Sequence, residues 1–179
     1  MILTDREILI ALREKQIIID PQPDLSIAVS STTIDLTLSD TFKEWPGTKG
    51  ISIRPGVDGY KYSEVAKLQK SAPPGPYTLK SKDFVLAWTV EKLFIPNTSR
   101  LAARVEGKSS LARLGVTVHA TAPVIHSGFK GAIQLELCNL GPNEIILDPG
   151  MYVCQLVFEL TSGTPERGYS GIFQDQNNR

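Results

Sequence analysis

Chemistry-bearing side chains concentrate in the stretch Arg104–Gly115, RVEGKSSLARLG. It brings together Gly107, Lys108, Ser109, Ser110 and Arg113. Backbone amides near a glycine, two hydroxyls and two cations can cradle a phosphate. The G-x-x-x-x-G-K-[ST] pattern of a Walker loop is missing, so a P-loop is excluded. The same residues would also suit a solvated loop. A second candidate is Glu136, in QLELCN. Ile133, Leu135 and Leu137 alternate inward, which turns Gln134, Glu136 and Cys138 to the other face. A carboxylate there can serve as a general base, or simply meet water. The two histidines are not spaced as metal ligands and no C-x-x-C pair exists, so a zinc site is not expected.

These groups need a scaffold. Thr4 and Glu7 form a capping-box pattern, with Leu3 and Ile8 placed as a hydrophobic staple. Ile8, Leu9, Ala11 and Leu12 extend one apolar stripe toward Lys15, so a short N-terminal helix is expected. From Ile17 the period changes to that of strands. Strands are expected at 17–19, 33–38, 77–79, 84–90, 92–95, 101–105, 116–122, 132–137, 144–147 and 151–160. A short strand at 51–53 is expected inside the Gly- and Pro-rich stretch 45–59. Leu111–Leu114 suits one helical turn. Ser71–Pro76, SAPPGP, breaks the pattern and should form an exposed, mobile excursion. Many short strands at regular spacing imply an all-β sandwich or barrel.

The chain has 179 residues, of which 41% are apolar and 21% charged, and its formal net charge is zero. One domain over residues 1–179 is expected, with a core large enough to stand without staples. Zero net charge offers no global field for nucleic acid, which is not an expected partner. No apolar run approaches a membrane span and no signal-peptide pattern opens the chain, so no membrane partner and a cytoplasmic location are expected. Cys138 and Cys154 both lie in apolar runs and should be buried, reduced thiols. The segment 161–179 is polar and Gly-rich and cannot pack a core alone.

Taken in order, the blocks VSSTTIDLTL, FVLAWTVEKLFIP, GKSSLARLG, VHATAPVIHSGFKGAIQLELCN, PGMYVCQLVFE and GYSGIFQDQ resemble the dCTP deaminase branch of the trimeric dUTPase superfamily. The resemblance covers roughly residues 1–176. It implies a distorted β-barrel or jelly-roll assembled as a homotrimer. It also implies zinc-independent conversion of dCTP, or a related pyrimidine deoxynucleotide, to dUTP and ammonia.

Residue by residue, Glu136 then matches the carboxylate that activates water. Ser109 and Arg113 match the groups that position water and phosphate. Lys108 and Ser110 match phosphate-holding positions, and Mg2+ would arrive on the triphosphate. Thr121 and Ala122 match the stretch whose backbone reads the pyrimidine edge. In the arm 161–179, expected to close over the triphosphate of a neighbouring site, Phe173 matches an aromatic position and Gln176 a phosphate contact.

Three positions depart from the pattern. His126 stands where the family has an aspartate that meets the sugar 3′-hydroxyl and helps hydrolysis at the α-phosphate. Pro123 and Val124 replace His or Gly and an arginine, and Ile172 replaces a lysine of the arm. Imidazole can donate or accept a hydrogen bond but holds no permanent negative charge. That change argues against a bifunctional enzyme giving dUMP and pyrophosphate. A non-catalytic nucleotide-binding homologue is the remaining alternative, and the retention of Glu136 argues against it.

Overall fold

The computed structural model describes residues 1–47 and 50–171. In chain order its elements are α1 (Asp5–Arg13), β1 (Ile18–Asp20), α2 (Leu25–Ala28), β2 (Ile34–Glu44), α3 (Tyr62–Val65), a 3₁₀ turn (Ala66–Leu68), β3 (Lys70–Ser71), β4 (Tyr77–Leu79), β5 (Phe84–Phe94), β6 (Leu101–Gly107), α4 (Ser109–Ala112), β7 (Val116–Thr117), β8 (Val124–Ile125), β9 (Lys130–Asn139), β10 (Ile145–Leu147) and β11 (Tyr152–Leu160).

Nine strands form one sheet in the order β7-β9-β5-β2-β11-β6-β8, with β1 added to β5 and β3 to β2. A separate pair joins β10 to β4. The sheet curls into a half-barrel because its long strands change partners part-way. Ile34–Thr37 of β2 pairs with β11, and beyond a register shift between Leu38 and Phe42 the strand continues along β5. A second shift, between Trp88 and Lys92 of β5, sits opposite β9. Bulges of this kind bend a strand and tighten its twist.

The inner face carries the main core, including Leu36, Phe42, Ile95, Leu101, Leu135, Leu156 and Phe158, none more than 2% exposed. A small outer cluster gathers Leu86, Trp88 and Ala132 under Trp45. The staple forms as the sequence implies, with Leu3 and Ile8 both in the core. Glu7 accepts from both the Thr4 N–H (2.9 Å) and the Thr4 hydroxyl. Full burial of Ile8 contributes about 1.5–3 kcal/mol to docking α1 on the sheet.

Several expectations need correction. The strands expected at 84–90 and 92–95 are one bulged strand, β5. Ile51 and Ile53 form no strand; they are about half exposed, so little burial among the described residues rewards an extended pairing. The Ser71–Pro76 breaker does not start an excursion at once. Lys70 and Ser71 pair with Glu44 and Lys43, and the Ala72 N–H donates to the Phe42 carbonyl (3.0 Å). The helical turn lies two residues earlier than expected, at Ser109–Ala112, with the Lys108 carbonyl accepting from the Leu111 and Ala112 N–H groups (3.0 and 2.9 Å). The short helix α2 was not expected. Asp24 caps it by accepting from the Ser26 N–H (3.0 Å).

Two glycines meet where α4 runs into β7. Gly115 has φ +96°, and a Cβ on it would overlap the Gly141 backbone, with Gly141 Cα 2.6 Å away. A Cβ on Gly141 would in turn overlap the Leu114 carbonyl. Their contact is closed by the Leu140 N–H donating to the Gly115 carbonyl (2.8 Å).

Candidate functional site

The strand expected over 116–122 ends at Thr117, and the reason lies in Glu136. Its backbone N–H donates to the Val118 carbonyl (3.0 Å). Its side-chain Oε2 accepts from the Ala120 N–H (2.8 Å), so that donor goes to a carboxylate instead of a strand ladder. Pro123 then has no N–H to offer. Val118 is still held by β9, and the Pro123 carbonyl accepts from the Val105 N–H of β6 (2.9 Å), so residues 119–122 between them leave the sheet and arch over the Glu136 face of β9. The alternation along β9 is as read from sequence: Ile133, Leu135 and Leu137 are buried, and Gln134, Glu136 and Cys138 are half-buried. Cys138 thus corrects the expectation of two buried thiols. Only Cys154 is fully enclosed, and burial pushes its thiol well above the usual range.

The arch and β9 enclose a cavity of about 260 Å³. Glu136, Gln134 and Ile133 line it from β9, His119 and Ala122 from the arch, Ile125 from β8, and His126 and Phe129 from the turn beyond it. Tyr169 closes one side. One oxygen of Glu136 is tied to the Ala120 backbone, so the carboxylate has a fixed aim along the cavity wall. Of the residues matched from sequence, Glu136, Ala122 and His126 meet here. Thr121 is exposed and does not line the cavity.

The cradle residues do not line it either. Ser109 and Ser110 on α4 and Arg113 just after it are exposed. Lys108 turns its ammonium inward, where it pairs with Asp35 of β2 and lies 5.6 Å from the centre of the Tyr152 ring.

The root of the arm packs on its own chain. Arg100 donates to the carbonyls of Thr161 (3.3 Å) and Ser162 (3.0 Å), and the Tyr169 N–H donates to the Ser127 carbonyl (2.8 Å). The Tyr169 ring stacks on His126, with centroids 5.9 Å apart and planes inclined by 17°. This pair separates the Glu136 cavity from a second one of about 380 Å³, lined by Arg167, Ser127 and Thr161 among others. Gly128 has φ +89°, and a Cβ there would lie 2.7 Å from the Tyr169 nitrogen and overlap the Asn97 amide. Phe173 and Gln176, matched to the ligand from sequence, lie outside the described residues.

Tyr169 and His119 are the site residues that the sequence reading passed over. Tyr169 stands in the quoted arm block GYSGIFQDQ, where an aromatic between two glycines was its signal. His119 is part of VHATAP, and its Nδ1 is buried without a hydrogen-bond partner among the described residues. Nothing in its spacing marks it.

The family model for dCTP deaminase-like proteins matches residues 2–161, nearly the whole chain. The chain belongs to the dCTP deaminase-like family. A dCTP deaminase of Halorubrum lacusprofundi is 35% identical to it over 99% of this chain and 88% of its own length. A dUMP-forming dCTP deaminase of Methanobrevibacter smithii is 37% identical over 94% of this chain and 84% of its own. The crystal structure of a 2′-deoxycytidine 5′-triphosphate deaminase from Agrobacterium tumefaciens superposes with a TM-score of 0.65 at 20% identity. The match covers 89% of this chain and 48% of that one, so this chain spans about half its length. That likeness shows the fold alone. The dCTP deaminase-like match contains the cradle, the arch, His126 and Glu136, and stops before Tyr169 and the rest of the arm.

Proposed function

We propose that this protein is a dCTP deaminase, hydrolysing the exocyclic amine of dCTP to give dUTP and ammonia. The observation that carries the reading is Glu136, half-buried on the wall of a cavity with one oxygen tied to the Ala120 N–H. The other oxygen is left to a water. Glu136 takes a proton from that water as its oxygen adds to C4 of the cytosine. It then returns the proton to the amine nitrogen, which leaves as ammonia, while the hydroxyl proton left on C4 passes to ring N3 and the ring carbonyl forms. Holding water and ring in one cavity replaces a bimolecular encounter with a positioned one. The curated relatives named dCTP deaminase support the same reaction.

Among the described residues no three acidic, cysteine or histidine side chains converge on a metal position. The substrate is read as the magnesium complex of dCTP, its ion held by the triphosphate. Ser109, Ser110, Arg113 and Lys108 are proposed to hold that triphosphate, with Gln176 and Phe173 of the arm closing over it. Since the Glu136 cavity is lined by none of the cradle residues, the reading is of a site shared between copies, as a homotrimer would provide.

A second reading is favoured by the relatives named dUMP-forming, in which hydrolysis continues to dUMP and pyrophosphate. His126 weighs against it, because the turn supplies no carboxylate there for an attacking water.

The test is incubation of the purified protein with dCTP and magnesium, with chromatographic separation of the nucleotides and size determination of the assembly. Accumulation of dUTP with an equal amount of ammonia is the expected result. Formation of dUMP and pyrophosphate would select the second reading, and unchanged dCTP would overturn both.

A further inference from the structure

Lys108 is the one cationic side chain of the cradle that is not turned to the surface. It immediately precedes α4, whose Ser109 and Ser110 are exposed along with Arg113 just after it, yet its ammonium lies back over the sheet against Asp35 and the Tyr152 ring. Both members of the pair are largely enclosed, with side chains 24% and 18% exposed. The setting is built rather than incidental. Asp35 of β2 lies beside Gln155 of β11, which lies beside Glu106 of β6. Gln155 is itself held at both ends, donating to the Gly107 carbonyl (3.0 Å) and accepting from the Thr33 hydroxyl (3.0 Å). Asp35 therefore stands on a fixed row of strands and cannot follow Lys108 outward.

We propose that Asp35 is a latch on Lys108 that lowers affinity for the triphosphate chain. The inference rests on the reading of α4 as the phosphate cradle. A phosphate group on the exposed face of α4 meets the two serines and Arg113 without help. It gains Lys108 only by drawing the ammonium from a partly enclosed carboxylate, which is then left uncompensated. Apparent affinity is reduced by the fraction of protein in which Lys108 is released. Only a ligand long enough to engage Lys108 meets this reduction. A triphosphate, with three groups to place, is the ligand expected to engage Lys108, and a monophosphate held by the serines and Arg113 is not. Because dUTP carries the same triphosphate as dCTP, the latch acts on the product as much as on the substrate and favours its departure. Asp35 thus acts through Lys108 as a positioning residue for the ligand.

The experiment is calorimetric titration of the intact protein with dUTP and with dUMP, in magnesium. Asp35→Asn should tighten dUTP about tenfold and leave dUMP within about twofold. In a Lys108→Gln background the same substitution should change dUTP affinity less than about twofold. Asp35→Glu keeps the charge and should stay near wild type. Should Asp35→Asn lose its cooperative thermal melt, Asp35→Ser replaces it in both backgrounds. Unchanged or weaker dUTP binding in the neutral variant would overturn the latch, and so would equal tightening of dUTP and dUMP, since a general charge effect would explain it. Wild-type protein that binds neither nucleotide would instead overturn the nucleotide reading itself, and the latch with it.

Discussion

Replacing Glu136 with glutamine changes one atom and almost no volume. The amide oxygen can still accept the Ala120 N–H that now meets Oε2 at 2.8 Å, so the arch should keep its place over β9. The lost quantity is the difference between a charged and a neutral acceptor. Bonds to charged groups contribute about 1.5–3 kcal/mol and neutral ones about 0.5–1.5. Glu136 is half-buried and partly screened, so the stability cost is about 1 kcal/mol or less. For a chain of this size that shifts the melting temperature by no more than about 4 °C.

Catalysis should respond far more. An amide cannot take and return a proton at neutral pH, and a positioned acid–base group supplies about 10²–10⁴-fold. In this reading Glu136 serves both proton transfers, so the loss should reach the top of that range, while nucleotide affinity stays within about tenfold. The assay is release of dUTP from dCTP, followed beside calorimetric binding and a thermal melt of the same preparation. A folded Glu136→Gln protein turning over within tenfold of wild type would refute the assignment.

Three further outcomes follow from the structure. His126→Asp restores a carboxylate at the turn and should keep or raise deamination. It also removes the stack on Tyr169, worth about 0.5–1.5 kcal/mol, so trypsin should cut faster after Arg167. A folded but inactive His126→Asp protein would show that the imidazole has a role of its own. Gly128→Ala combines a left-handed backbone with an overlap on Asn97 and should lower stability by more than about 2 kcal/mol in a chemical melt, a change that an unaltered midpoint would contradict. At the N-terminus, hydrogen bonds from Thr4 hold the Glu7 carboxyl below its usual range. A depressed folded-state value gives stability that is present above the unfolded value and lost as pH falls through the folded one. Glu7→Gln should therefore reduce the slope of stability against pH on the acid side only, and an unchanged slope would count against the capping contribution.

The chain shows its local structure wherever one physical signal dominates. The capping box and staple of α1 and the alternation along β9 are such cases, because each depends on neighbours in sequence. The reading falters where a distant group decides. The N–H of Ala120 pairs with a side chain sixteen positions away, which ends a strand that local pattern would continue. Ile51 and Ile53 carry strand-forming side chains but pair with no strand among the described residues. Two strands read as separate are one because a bulge, invisible to hydrophobic period, joins them across Val90 and Glu91.

The site was legible in the same measure. Glu136, Ala122 and His126 converge on one cavity, and their residue types and family pattern announced them. Tyr169 and His119 reach it only through tertiary packing. The engagement of Lys108 by Asp35, 73 positions away, leaves no local trace in the sequence.

The contact between Gly115 and Gly141 ties the end of α4 to the turn that follows β9. Each backbone fills the volume that the other's side chain would need. Neither position can accept a side chain while the other stays as it is, and a paired change would only enlarge the overlap. Single substitutions that swing the serines and Arg113 relative to the strand bearing Glu136 are therefore closed off at this joint. Variation in substrate preference has to arise elsewhere, in the arch, the His126 turn or the arm, where one residue can change without dragging the α4 turn and the Glu136 strand apart.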